Sequence, residues 1–157
     1  MKTARVLALL LVLTTVGCDR VTKHLATETL ADKPGRSYLS DTVRLEYVEN
    51  PGAFLGLGSE LPEWARSVLL TAGAGVGLLV VAVTALKLQW TGAPFLGAVL
   101  IVAGGFSNLI DRVIRGSVVD FMNVGIGPLR TGIFNVADVA LMAGVVLIAL
   151  GLDRRNR

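Results

Sequence analysis

The chain is poor in the residues that metal-binding and disulfide-bonded proteins use. Its 157 residues include one cysteine, Cys18, and one histidine, His24. A single cysteine excludes a disulfide within the chain, and without a Cys/His cluster we expect no zinc or other metal and no cofactor. Charged residues make up only 17% of the chain, against about 25% in soluble domains. The net charge is only +3, and without a nucleic-acid-binding motif we predict no nucleic-acid partner.

Apolar residues dominate instead, and they are grouped into long runs. The chain is 53% hydrophobic with a mean hydropathy of +0.66. A helix needs about 20 apolar residues to cross a bilayer core of about 30 Å. Four runs approach this length, at about residues 4–24, 64–86, 93–110 and 133–152. The pattern predicts an all-α polytopic membrane protein, in which residues 1–157 form a single membrane-embedded domain with four transmembrane helices.

Basic residues near the ends of these runs suggest the orientation. The two tails and the short turn after the second run carry Lys2, Arg5, Lys87, Arg154, Arg155 and Arg157. Lysine and arginine in short segments favour the cytoplasmic side, so we predict that both termini are cytoplasmic. The long loop on the other side has more basic residues, but many acidic residues accompany them.

Residues 25–63 and 111–132 then lie outside the cytoplasm. Alternation over Thr42–Val48 predicts a strand, and the segment around Asp120 adds a strand or two, which together make a small sheet. The apolar Phe54–Leu57 stretch could cover a site, and Ser59 is a candidate helix cap. Small residues spaced four apart, Gly73 with Gly77 and Ala140 with Gly144, predict close helix packing.

Polar side chains gather at the outer ends of the first, third and fourth runs and in the loop between the last two. They are Asp19, Lys23, Asn108, Asp111, Arg112, Asp120, Asn135 and Asp138. A carboxylate at membrane depth costs roughly 2.5–3.5 kcal/mol and therefore usually marks function. Two neighbouring carboxylates, Asp120 and Asp138, would share one proton. The basic member can then accept a proton from water while the acidic member polarises a carbonyl, which is amide hydrolysis by an aspartic pair.

Simpler interpretations stay open for single residues and for the whole chain. Asp19 and Lys23 are spaced as an i,i+4 ion pair worth a few tenths of a kcal/mol, and Arg112 could be a snorkelling interfacial residue. The chain could also be a small proton-coupled transporter or channel subunit, because intramembrane Asp and Asn suit proton relays. The segment ending in Cys18 imitates a lipoprotein signal, and two aspartates could bind a cation, although they supply few ligands.

Five motifs in order resemble those of the lipoprotein signal peptidase (signal peptidase II) family. They are Asp19-Arg-Val-Thr-Lys23, Asn50-Pro-Gly-Ala53, Asn108-Leu-Ile-Asp-Arg112, Val118-Val-Asp-Phe121 and Phe134-Asn-Val-Ala-Asp138. The resemblance spans nearly the whole chain. It implies four transmembrane helices with a small periplasmic β-sheet and a short amphipathic periplasmic helix. The sequence departs from the family pattern at three places. Ser107 stands where glycine is usual, Arg20 stands where glutamine is usual, and Phe54-Leu55 replaces a small residue followed by phenylalanine.

The resemblance also implies an activity and a location. Members cleave prolipoproteins just before a diacylglyceryl-modified cysteine, in the bacterial cytoplasmic (inner) membrane with the active site at the periplasmic face. Asp120 and Asp138 would be the catalytic dyad. Substrate-binding or orienting positions would be Asn108, Arg112, Asn135, Asp19, Lys23, Asn50 and Gly52, the last four nearer the rim. Expected partners are lipid-modified prolipoproteins, membrane lipid and the inhibitor globomycin, and we expect a monomer.

Overall fold

Helices account for most of the computed structural model, which describes residues 2–52 and 60–155. In chain order the helices are α1 (Lys2–Leu30), α2 (Glu63–Arg66), a π-helix (Ser67–Gly73), α3 (Ala74–Lys87), α4 (Gly92–Arg115) and α5 (Val136–Arg155). The strands are β1 (Arg36–Tyr38), β2 (Val43–Asn50), β3 (Val118–Ile126) and β4 (Leu129–Arg130). The chain is therefore mostly helical and carries a small sheet, as the sequence predicts.

The sheet is antiparallel, with the order β1-β2-β3-β4. Its register places Val48 opposite Asp120 and Asn50 opposite Val118. An apolar cluster of Ala26, Leu30 and Phe121 joins the end of α1 to the sheet. These contacts explain why α1 continues to Leu30, six residues beyond its predicted end, into a segment that the sequence assigns to a loop.

Helices α4 and α5 approach each other closely along a seam of small residues. A Cβ added at Gly97 would lie 2.5 Å from the Gly144 carbonyl oxygen, and one at Gly144 would lie 2.6 Å from that of Gly97. The predicted packing role of Gly144 is confirmed. The same prediction for Gly77 is wrong, because a Cβ there would have no neighbour within 4 Å.

Two helical segments of the described chain are long and apolar enough to cross a bilayer. They are Glu63–Lys87, which contains the π-helix, and Gly92–Arg115. The apolar stretch Val136–Leu152 of α5 is shorter. Large apolar side chains are nevertheless exposed on α1 and α5 too, among them Leu7 and Val145. Exposed apolar surface on this scale is typical of a face that contacts a membrane or a partner.

Helix ends explain how the chain leaves the bundle toward the sheet. Helix α4 ends at Arg115, and the next residue is Gly116, whose φ of 74° is left-handed and whose N–H donates to the Arg112 carbonyl. Such a glycine cap stops a helix without steric cost, and β3 begins two residues later.

The predicted helix start at Ser59 and the Phe54–Leu57 surface lie outside the described residues. A separate short amphipathic helix is not found in residues 2–52 and 60–155.

Candidate active site

Asp138 lies in the first turn of α5, where Asn135 is the residue before the helix. The Asn135 Oδ1 accepts a hydrogen bond from the Asp138 N–H at 2.9 Å, and Asp138 Oδ2 accepts one from the Asn135 N–H at 3.1 Å. This reciprocal pair is a capping box, which satisfies two N–H groups that a helix start leaves unpaired. The i,i+3 spacing of these residues therefore fixes the position of the Asp138 carboxylate.

Asp120 lies on β3 and is 3% exposed. Its Oδ2 accepts a hydrogen bond from Asn50 Nδ2 at 2.9 Å, and its Oδ1 accepts one from Asn135 Nδ2 at 2.6 Å. Burial, and secondarily the nearby Asp138 carboxylate, raise the pKa of Asp120 to about 6, although the asparagine hydrogen bonds oppose this shift. Asp120 therefore keeps a proton to a higher pH than an exposed aspartate does.

Asn135 links the two carboxyl groups and is itself fully buried. Its side-chain N–H group donates to Asp120, whereas its backbone N–H donates to Asp138. The aspartates make no direct hydrogen bond to each other in the described residues. The pair is thus bridged by an asparagine, with both carboxyl groups held by amide donors.

Asn50 and Gly52 position a second side of the site. Asn50 Oδ1 accepts a hydrogen bond from the Gly52 N–H at 3.0 Å, a turn geometry common for asparagine. This contact leaves the Asn50 Nδ2 to face Asp120. The Gly52 carbonyl in turn accepts a hydrogen bond from Arg112 Nη2 at 3.0 Å. Arg112 therefore holds the chain after β2 rather than simply reaching toward the interface.

Lys23 lies at the centre of a buried ionic cluster between α1 and α4, and it is only 3% exposed. Its Nζ lies 2.7 Å from Asp19 Oδ2, 2.7 Å from Asn108 Oδ1 and 2.8 Å from Asp111 Oδ2. Asn108 uses its Nδ2 to donate to Asp138 Oδ1 at 2.9 Å. By binding the amide oxygen of Asn108, Lys23 helps to orient the amide nitrogen toward Asp138.

Two interpretations of Asp19 and Lys23 are corrected by this arrangement. Both side chains are buried, Asp19 completely, so they do not lie at a solvated rim. The pair is also more than an isolated surface i,i+4 contact. Asp19 Oδ1 accepts a hydrogen bond from the Ala137 N–H at 2.9 Å, which fixes α1 to the start of α5.

Three residues of the cluster were not among the predicted site residues. Ser107 Oγ donates to Asp19 Oδ2 at 2.7 Å, and Arg20 pairs with Asp111. Asp111 is almost fully buried. Its i,i+3 spacing from Asn108 is the signal that places it on a shared helix face. All predicted site residues belong to one connected network, which runs from Asp19 through Lys23, Asn108, Asp138, Asn135, Asp120, Asn50 and Gly52 to Arg112.

Two apolar grooves have Asp138 among their lining residues. One of about 560 Å³ follows α5 past Phe134, Met142 and Val146. The other, of about 440 Å³, runs between the π-helix, α3, α4 and α5, and Asn108 and Leu141 line it. An apolar ligand in either groove would therefore lie against Asp138. Residues 2–52 and 60–155 contain no group of three or more His, Cys, Asp or Glu that could hold a metal ion.

Known proteins are similar to this chain in both sequence and fold. A family model described as signal peptidase (SPase) II matches residues 11–152. The chain is 41% identical to a lipoprotein signal peptidase of Bifidobacterium adolescentis over 146 residues, covering 87% of this chain and 72% of that protein. It is 31% identical to a lipoprotein signal peptidase of Clostridioides difficile over 144 residues, covering 92% and 93% of the two chains.

A solved structure of a bacterial membrane enzyme has a similar fold. It superposes with a TM-score of 0.81 at 25% identity, over 95% of this chain and 88% of the other. A second solved bacterial membrane enzyme gives a TM-score of 0.78 at 24% identity, over 92% and 91% of the chains.

Proposed function

The chain belongs to the signal peptidase II family, and on this premise we propose that it is an aspartic endopeptidase with Asp120 and Asp138 as its catalytic pair. Membership makes it a membrane-embedded peptidase that removes signal peptides from prolipoproteins. The proposed bond is the one before a diacylglyceryl-modified cysteine. The observation that carries the proposal is the bridging of the two carboxyl groups by Asn135, whose buried side chain donates to Asp120 and whose backbone N–H donates to Asp138.

Two bridged carboxyl groups can divide the work of amide hydrolysis between them. The protonated member donates a hydrogen bond to the scissile carbonyl, and the ionised member takes a proton from the attacking water. The water oxygen bonds to the carbonyl carbon. A proton then passes to the amide nitrogen, and the carbon–nitrogen bond breaks. The products are a new carboxyl end on the signal peptide and a free amine on the cysteine.

The surrounding amides would keep the pair in its working state. Each carboxyl oxygen of Asp120 and Asp138 accepts one hydrogen bond from an amide N–H. These donors favour an ionised carboxylate, whereas burial favours the protonated form. The opposition supports a pair in which a proton can be both held and released, and the pKa of about 6 for Asp120 brings its titration closer to neutral pH than that of an ordinary aspartate.

The apolar grooves suit a substrate that remains partly in the membrane. Burial of lipid chains contributes about 0.8 kcal/mol per methylene. A substrate held in this way moves its scissile bond at one depth only, which favours encounter with the pair. The two grooves lined by Asp138 support this placement, with Met142 in the wall of one and Leu141 in the wall of the other. We also propose globomycin as an inhibitor, on the strength of the family resemblance.

We further propose four membrane-crossing helices in the bacterial inner membrane, with α2, the π-helix and α3 acting as one. The sheet and the aspartic pair would then lie on the periplasmic side and both termini in the cytoplasm. One chain supplies every group of the proposed site, which supports a monomer. A transporter is less well supported, because the buried charged residues gather near the sheet and, up to Leu152, do not continue along α3 or the rest of α5.

The test is cleavage of a diacylglyceryl-modified prolipoprotein by purified protein, with globomycin as the inhibitor control. We expect Asp120→Asn and Asp138→Asn each to lose at least about 100-fold in kcat/KM, because each removes one proton-transfer group. Asp32→Asn is the matched control, since Asp32 is exposed and its φ of 60° suits asparagine. Near-normal cleavage by either site variant, with the fold intact, would disprove the aspartic pair.

A further inference from the structure

A separate cavity of about 310 Å³ lies where the end of β2, the start of α2 and the end of α4 meet. Arg66 lines it from α2, and Arg112 and Arg115 line it from the last turn of α4. The carboxylates in its wall belong to Glu49 and Glu63. Among the residues that line the cavity, the three arginines therefore outnumber the two acids.

The acid nearest the sheet is already engaged. Glu49 Oε1 accepts a hydrogen bond from the Tyr47 hydroxyl at 2.8 Å, and Glu49 Oε2 accepts one from Ser117 Oγ at 3.0 Å. Arg115 makes no ion pair within residues 2–52 and 60–155. The Arg115 guanidinium therefore lines the cavity without an ion-pair partner among the described residues.

The side chain of Arg112 lacks one hydrogen-bond acceptor among the described residues. Its Nη2 donates to the Gly52 carbonyl, but its buried Nε–H has no hydrogen-bond partner in the described part of the chain. Buried donors are nearly always paired, because an unpaired one loses its bonds to water without replacement. An anion in the cavity that Arg112 lines would supply that acceptor.

The chemistry and place of the cavity indicate the kind of anion. A guanidinium group matches the geometry of phosphate oxygens, and one phosphate can bridge several arginines. The cavity wall also has apolar parts, Pro51 and Leu70. Trp64, two residues before Arg66, is 73% exposed, and tryptophan is enriched at membrane–water interfaces.

We propose that this cavity binds the phosphate group of an anionic phospholipid headgroup. The lipid source rests on the proposed membrane orientation, which places the cavity at the outer headgroup level. The lipid would lie beside the peptidase site, because Arg112 lines both this cavity and the groove that Asp138 lines.

The test is a lipid titration of the purified protein in a neutral detergent, followed by native mass spectrometry. The probes are phosphatidylglycerol, phosphatidylcholine and inorganic phosphate. We expect the wild type to prefer phosphatidylglycerol, because the choline group of phosphatidylcholine would meet the arginines. The double variant Arg66→Gln/Arg115→Gln should bind phosphatidylglycerol at least about tenfold more weakly. The matched control, Lys33→Gln/Arg36→Gln, removes two exposed charges near the sheet and should bind as the wild type does.

The outcomes separate this site from the peptidase activity. Equal affinity of the wild type for both lipids, or unchanged binding by the Arg66/Arg115 variant, would overturn the proposal. Competition by inorganic phosphate at the same concentrations would overturn the lipid assignment and identify free phosphate as the ligand of the cavity. The Asp120→Asn variant should still bind phosphatidylglycerol, so a failure of the proposed cleavage reaction would leave this result unaffected.

Discussion

Lys23 compensates two buried carboxylates, and its loss is expected to destabilise the protein. Its ammonium group lies within 2.8 Å of both Asp19 and Asp111. Lys23→Met keeps the apolar stem but leaves these carboxylates with less compensation. Removal of one partner from a buried pair costs about 3–5 kcal/mol.

We expect thermal unfolding in detergent to show this loss, with Lys33→Met as the control because Lys33 is exposed. Adding Asp19→Asn to Lys23→Met should restore part of the stability, since Asp111 still pairs with Arg20 whereas Asp19 has no other ion pair within residues 2–52 and 60–155. A melting temperature of Lys23→Met equal to that of the wild type would contradict the role of Lys23.

Asp120 should make the folded protein less stable as the pH rises from about 4 to about 6. Its pKa is raised from 3.8 to about 6, so the folded state binds more protons than the unfolded state between these values. The stability is therefore highest below the lower value and declines through this window, by at most about 3 kcal/mol.

The measurement is the melting temperature of the wild type and of Asp120→Asn between pH 4 and pH 7. Asparagine cannot ionise, so the variant should lose part of the decline. Parallel curves for the two proteins would show that Asp120 ionises with an ordinary pKa in the folded state.

At the scale of helices, the seam between α4 and α5 should tolerate no added side chain. Gly97→Ala would bring a Cβ to 2.5 Å from the Gly144 carbonyl oxygen and to 2.8 Å from Ile148. Overpacking of this kind costs about 1–3 kcal/mol. It would also disturb the helix that carries Asp138.

Gly77→Ala is the matched control on α3, where an added Cβ meets no atom within 4 Å. Alanine is favoured over glycine in a helix by about 1 kcal/mol, so this variant should be as stable as the wild type or slightly more so. Equal melting temperatures for the two glycine variants would show that the seam is not closely packed.

The helices were predictable because each follows from a long apolar run, whereas their ends depend on contacts between distant residues. The last turns of α1 are polar in part, and they stay helical where Ala26 and Leu30 pack on Phe121 of the sheet. Spacing within one helix likewise predicted that Asn135 and Asp138 share a face. It could not predict that Asp19 binds the Ala137 N–H, because 118 residues separate them.

For the whole molecule, the proposed orientation requires the sheet and the turn between α3 and α4 to lie on opposite sides of the membrane. The turn after α1 contains the exposed Lys33, and the turn between α3 and α4 contains the exposed Thr91. In a Cys18→Ser background, Lys33→Cys and Thr91→Cys each leave one thiol at these places.

A membrane-impermeant maleimide should therefore label Lys33→Cys once the outer membrane, where there is one, has been made permeable. Thr91→Cys should react only after the inner membrane is opened as well, since its turn carries Lys87 nearby and lysine favours the cytoplasmic side. The Cys18→Ser parent gives the background labelling. Equal labelling of both thiols before the inner membrane is opened would contradict the orientation, and the reverse pattern would place the aspartic pair on the cytoplasmic side, away from the prolipoprotein cleavage site proposed here.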